Sequence, residues 1–104
     1  MTDQLPTETD EQALEVRRKR LRFRSWHRGI KEMDLILGHF ADRVLWHLTP
    51  EEVDEYERLI GLEDTVLYNW VTGREIPLPE YDTPIFRRIC ELKHMEGTAG
   101  RHVD

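Results

Sequence analysis

A single cysteine, Cys90, is all the thiol chemistry that these 104 residues carry. It cannot close an internal disulfide, which fits a reducing compartment and leaves the fold to its apolar core. Long apolar runs are absent as well. None approaches the ~20 residues of a membrane-spanning helix, so no membrane insertion is expected. The opening MTDQLPTETDEQ lacks both the apolar heart of a secretory signal and the Arg-rich, acid-poor character of a mitochondrial transit peptide. The expectation is a bacterial cytoplasmic protein. Catalytic punctuation is missing too: there is no G-x-S-x-G, no phosphate-binding P-loop and no G-x-G-x-x-G. His27, His39, His47, His94 and His102 contain no H-x-x-x-H pair, and one cysteine offers no C-x-x-C, so no metal site is expected. Nor does any stretch alternate with period two over a useful length, which leaves no candidate strand.

What the chain does have is charge, unevenly laid out. It is 38% hydrophobic and 35% charged, with a net charge of −6. Met1 to Gln12 holds only acids, whereas Ala13 to Arg28 holds arginines and one lysine against the single acid Glu15. Such asymmetry implies an interaction surface on an otherwise acidic molecule rather than general nucleic-acid affinity. The length suits one small domain with a modest core.

Residues 1–11 are polar and acidic and are expected to form a disordered tail. From Glu11 to about His27 no Gly or Pro interrupts a helical composition, with Val16, Phe23 and Trp26 on one side and Leu14 and Leu21 as a weaker second stripe. Met33, Ile36, Leu37, Phe40, Val44 and Leu48 predict a second helix reaching about His47, with Gly38 as a packing gap against a neighbour. Thr49-Pro50-Glu51-Glu52 reads as a capping box with proline at the first helical position. The third helix then buries Val53, Tyr56, Leu59 and Ile60 and stops at Gly61 as a C′ residue. A fourth begins near Glu63 or Asp64, turns Val66, Leu67, Trp70 and Val71 inward, and stops at Gly73. Pro77 and Pro79 make an extended connector. Asp82 or Thr83 caps a fifth helix carrying Ile85, Ile89 and Leu92, and residues from 97 onward read as a flexible tail. The expected architecture is all-α, a compact bundle of about five short helices over residues 12–96.

The stretch W-H-R-G-I-K-E-M-D-L-I-L-G, residues 26–38, joins the basic helix to the apolar one. A glycine there costs about 1 kcal/mol relative to alanine, so it marks a break or a close backbone approach. Arg28-Gly29-x-x-Glu32-x-Asp34 resembles the Arg-Gly-x-x-Glu signature of the succinate dehydrogenase assembly factors. Leu37-Gly38-x-Phe40, Leu48-Thr49-x-Glu51-Glu52 and Asp64-x-x-Leu67-x-x-Trp70 with Gly73 resemble later segments of that family. The departure is at Leu62-Glu63-Asp64-Thr65, where members often carry a proline. The resemblance implies a small helical, non-enzymatic factor that binds the flavoprotein subunit of succinate dehydrogenase, and by extension fumarate reductase, and promotes covalent FAD attachment there. It implies no stably bound cofactor, and a monomer. It also implies partner contact through Arg28, Gly29, Glu32 and Asp34, with Trp26 and Arg24 beside them.

Other readings compete. Arg28 and Glu32 could pair with each other across one helical turn, for about 0.3–0.5 kcal/mol. The run Arg17-Arg18-Lys19-Arg20, with Arg22 and Arg24, could be a solvated face, a surface for an acidic protein or a phosphate-binding patch. Against nucleic acid stand the negative overall charge and the lack of a recognition helix. An antitoxin-like regulatory binding protein is the alternative from another class. Trp46 and Trp70 read as core or core-edge residues, and Cys90 as a small hydrophobe beside the fifth helix's stripe.

Overall fold

The structure, a computed structural model, describes residues 6–92, with side chains from residue 11 onward. Five α-helices follow one another: α1 (Pro6–Trp26), α2 (Lys31–Val44), α3 (Pro50–Ile60), α4 (Asp64–Val71) and α5, which starts at residue 84 and continues to 92. Short 3-10 turns at Leu45–His47 and Pro79–Tyr81 complete them, and no strand occurs among the described residues. The all-α expectation holds. The first helix begins at Pro6 rather than Glu11, so residues 6–11, expected as tail, are helical. Residues 1–5 and 93–104, including the expected tail from 97, lie outside the described residues.

The core is a single cluster. Met33, Leu37, Phe40 and Ala41 of α2 meet Val53, Tyr56, Leu59 and Ile60 of α3, Leu67, Trp70 and Val71 of α4, and Ile85, Phe86 and Ile89 of α5. The capping box forms as its four residues predict. Thr49 Oγ1 accepts the Glu52 N–H at 3.2 Å, and Glu52 Oε1 accepts the Thr49 N–H at 2.9 Å. At α5 it is Thr83 that caps, taking the Phe86 N–H at 3.2 Å. The glycine stops divide. Gly73 takes the left-handed conformation, φ 82°, while Gly61 stays right-handed at −77° and simply ends α3 through 3-10 bonds.

α1 corrects the sequence reading. Val16 and Phe23 are exposed, Phe23 by 61%, and the weaker stripe, Leu14 and Leu21 extended by Ser25, faces the core. The reason lies in the flanks of that stripe. Arg17 reaches Asp54 at 2.8 Å and Glu57 at 2.6 Å on α3, and Arg24 approaches Glu57 at 3.9 Å. On the other flank Arg22 meets Asp42 of α2 at 2.6 Å. With the Leu14–Leu21–Ser25 face turned inward, arginines on both sides of it lie within reach of carboxylates. Ser25 is small enough to let the helices close. Its hydroxyl donates to Leu21 O at 2.7 Å and lies 2.5 Å from Tyr56 Oη, and the Tyr56 ring stacks on Phe40. Burial pushes the Tyr56 phenol pKa well above its ordinary value.

Candidate docking site at the turn between the first two helices

α1 ends at Trp26, and α2 begins at Lys31 after an extended N-cap, Ile30, that makes no side-chain cap bond. The chain between them needs outside partners for its amides. Two carboxylates supply them. Asp34 Oδ1, in the first turn of α2, accepts the Arg28 N–H. Asp64, the first residue of α4, accepts the Gly29 N–H on Oδ2, while its Oδ1 lies 2.7 Å from both Arg28 Nε and Arg28 Nη2.

The Arg28 guanidinium is thereby turned inward. Nη1 donates to Ile60 O at 2.8 Å and Nη2 to Leu62 O at 3.2 Å, and the side chain is only 9% exposed. A cation at the C-terminal end of α3 and an anion in the first turn of α4 both complement the helix dipoles. The charge-assisted bonds between them are of the stronger kind. Two sequence expectations are corrected here. Arg28 neither pairs with Glu32 across a helical turn nor projects outward, because Asp64 and the carbonyls of the α3–α4 junction take its donors.

Gly29 is exposed, and its φ is not positive. Space favours glycine: a Cβ there would stand 2.9 Å from Asp64 Oδ2 and push that carboxylate aside. Glu32 is exposed on the first turn of α2 and makes no hydrogen bond or ion pair among the described residues. Trp26 is half-buried. Its indole lies on Gly38, where a Cβ would come within 2.3 Å of a ring carbon, and Nε1 donates to Asp42 at 3.3 Å. Gly38 is therefore the packing gap the sequence suggests. Arg24 sits on the α3 side of α1, beside Glu57, whereas Trp26 sits on the α2 side. The six candidate residues thus fall into three groups: Arg28, Gly29 and Asp34 in the clasped turn, Glu32 exposed next to it, and Trp26 and Arg24 on opposite flanks.

Asp64 is the residue that local reading missed as part of the site. Its available signals were its place in the first turn of α4 and at the head of the D-x-x-L-x-x-W pattern. The basic run is also reassigned. Arg17, Arg22 and Arg24 are paired within the fold, Lys19 lies 3.7 Å from Glu15, and Arg18 donates to Leu48 O at 2.7 Å. Of that run only Arg20 makes no bond among the described residues. Those residues contain no group of three metal-ligating side chains, and no helix is long and apolar enough to cross a membrane. Trp70 is buried as expected, while Trp46 is exposed.

Residues 19–93 match the family model described as flavinator of succinate dehydrogenase. The chain belongs to this family. It is 40% identical over 82 residues to the FAD assembly factor SdhE of Acetobacter pasteurianus, a match covering 78% of this chain and 74% of that protein. Mitochondrial succinate dehydrogenase assembly factor 2 of Lodderomyces elongisporus is 40% identical over 77 residues, or 72% of this chain and 47% of that one. The Scheffersomyces stipitis counterpart is 39% identical over 90 residues, covering 83% and 60%. The chain therefore spans about half to three fifths of these two longer mitochondrial relatives. The flavinator family match includes the clasped turn, Glu32 and Asp64.

Proposed function

We propose that this protein is an assembly factor that binds the flavoprotein subunit of succinate dehydrogenase and promotes covalent attachment of FAD to it. The observation that carries the docking site is the contrast within one turn: Arg28 and Gly29 are held by hydrogen bonds, and Glu32 beside them is exposed and makes no bond among the described residues. A carboxylate on a fixed backbone frame meets a donor on a partner with little loop entropy to lose, its own rotamers being the part that must still order, which favours specific contact. The factor acts as a binding protein and not as an enzyme. Its clustered charges are ion pairs that hold helices together, so the groups that react belong to the partner and its flavin. The factor's contribution is to hold the flavoprotein in the arrangement where flavin and acceptor side chain align, an effect of orientation. It holds no FAD stably, works as a monomer in the bacterial cytoplasm, and extends to fumarate reductase where the docking surface is shared.

A nucleic-acid role loses its main support, because the arginines that would meet phosphates are engaged with Asp42, Asp54 and Glu57. The test is covalent flavin on the succinate dehydrogenase of cells that carry the native factor, Glu32→Ala, or no factor. Glu32→Ala should fold normally yet leave flavin attachment near the factor-free level. Native levels of covalent flavin without the factor would overturn the proposal.

A further inference from the structure

We infer that Asp64 is a positioning residue for docking: one carboxylate, delivered from the start of α4, sets the shape of the Arg28–Gly29 turn and so the presentation of Glu32. The inference rests on the turn being the docking site proposed above.

The bonds of the turn support it. Among the described residues, the Arg28 and Gly29 N–H groups have no helical partner and are held by Asp34 and Asp64. Asp64 binds the turn twice, on the Gly29 backbone through Oδ2 and on the Arg28 side chain through Oδ1, across separations of 35 and 36 residues. Arg28 carries the effect further by tying the same carboxylate to Ile60 O and Leu62 O. Its guanidinium bonds are therefore internal, and it serves docking through Asp64 rather than by touching a partner. The missing Cβ at Gly29 belongs to the same device, since any side chain would press on Asp64 Oδ2.

Asp64→Asn keeps the shape but leaves one acceptor oxygen and no charge. It cannot serve both the Gly29 amide and Arg28 as the carboxylate does. The turn then spends part of its time open, and the competent fraction falls. Apparent affinity drops in proportion to that fraction. The loss falls on association, about tenfold for weakening a charge-assisted pair of this kind, while the complex once formed dissociates at its native rate.

The experiment measures both rates for the full-length factor on purified flavoprotein subunit, for native protein, Asp64→Asn, Gly29→Ala and Glu32→Ala. Amide hydrogen exchange of the free factor is followed in parallel. The expected result is slower association with unchanged dissociation for Asp64→Asn and Gly29→Ala, and faster dissociation for Glu32→Ala. Exchange at the Arg28 and residue 29 amides should rise in the first two variants while the core helices stay protected. Gly29→Ala supplies the same signature should Asp64→Asn fail to fold. Asp64→Asn with unchanged rates, or with faster dissociation alone, overturns the positioning role. Unchanged exchange at residues 28 and 29 overturns the clasp itself, without reference to any partner. If exchange rises as expected but Glu32→Ala and Asp64→Asn both bind natively, the docking site has been put in the wrong place and the positioning role falls with it.

Discussion

Replacing Gly38 by alanine asks whether the Trp26 indole is a packed part of the fold or a ring resting loosely on its surface. Two effects oppose each other. Alanine is the better helix former by about 0.8–1.0 kcal/mol in a helix interior. Its Cβ, however, would stand 2.3, 2.4 and 2.5 Å from three carbons of the indole. To regain ordinary carbon contact the ring must retreat by roughly 1–1.5 Å. That shift breaks the 3.3 Å bond from Nε1 to Asp42 and the edge-on contact with His39 at 5.2 Å. Overpacking of this kind costs about 1–3 kcal/mol, so the net expectation is a loss of about 1 kcal/mol. In a domain of this size that lowers the melting temperature by about 4–8 °C. With Trp26→Ala already in place nothing fills the space, and the same substitution should stabilise by up to ~1 kcal/mol. Thermal and urea unfolding of the four proteins, followed by far-UV circular dichroism, gives the coupling, expected at about 1–3 kcal/mol. An equal effect of Gly38→Ala in both backgrounds would refute the placement of the indole on Gly38.

Two further outcomes follow from side chains buried or paired within the bundle. Burial raises the Tyr56 pKa above its ordinary value, so the unfolded chain gives up this proton first as pH rises. Its contribution is fully present below pH ~10 and declines above it, and Tyr56→Phe should flatten that alkaline fall in stability. The same variant should cost about 1 kcal/mol at neutral pH, read from denaturant midpoints, because the Ser25 hydroxyl keeps only its bond to Leu21 O. Arg17→Glu should destabilise the fold by roughly 1 kcal/mol, and less as salt rises, since Arg17 pairs with Asp54 and Glu57 across a partly solvated gap. A stable Arg17→Glu whose only defect is slower binding to the flavoprotein would restore the docking role once expected of the basic run.

How legible this protein is from its residues depends on distance along the chain. Thr49, Pro50 and Glu52 settle a helix start among themselves, so the capping box could be read directly. The apolar stripes of α2 and α3 lie within single helices, and Gly38 interrupts its stripe where a neighbour must come close. The core face of α1 was not readable this way. Its apolar residues favour Val16 and Phe23, and what turns the helix the other way is a set of acids on α2 and α3 that meet its arginines. The helicity of residues 6–11 was missed because an acidic stretch looks like tail. Gly61 and Gly73 look alike in sequence, but only Gly73 needs a positive φ. At the candidate site, the family resemblance grouped Arg28, Gly29, Glu32 and Asp34 as one segment. It could not show which way Arg28 points, since its partner lies on another helix.

That separation has a consequence during synthesis. Ribosomes deliver the chain from its N-terminus at about 5–20 residues per second, and local helices form long before the next element is made. α1 and α2 carry the whole Arg-Gly-x-x-Glu segment and Asp34, yet the turn between them lacks its Asp64 half of the clasp until the chain has grown 36 residues past Arg28. A nascent or truncated chain ending before α4 would display the motif without its shape. On the proposal that this turn docks the flavoprotein, competence arrives only with the second half of the domain, and unfinished chains do not occupy a partner they could not serve.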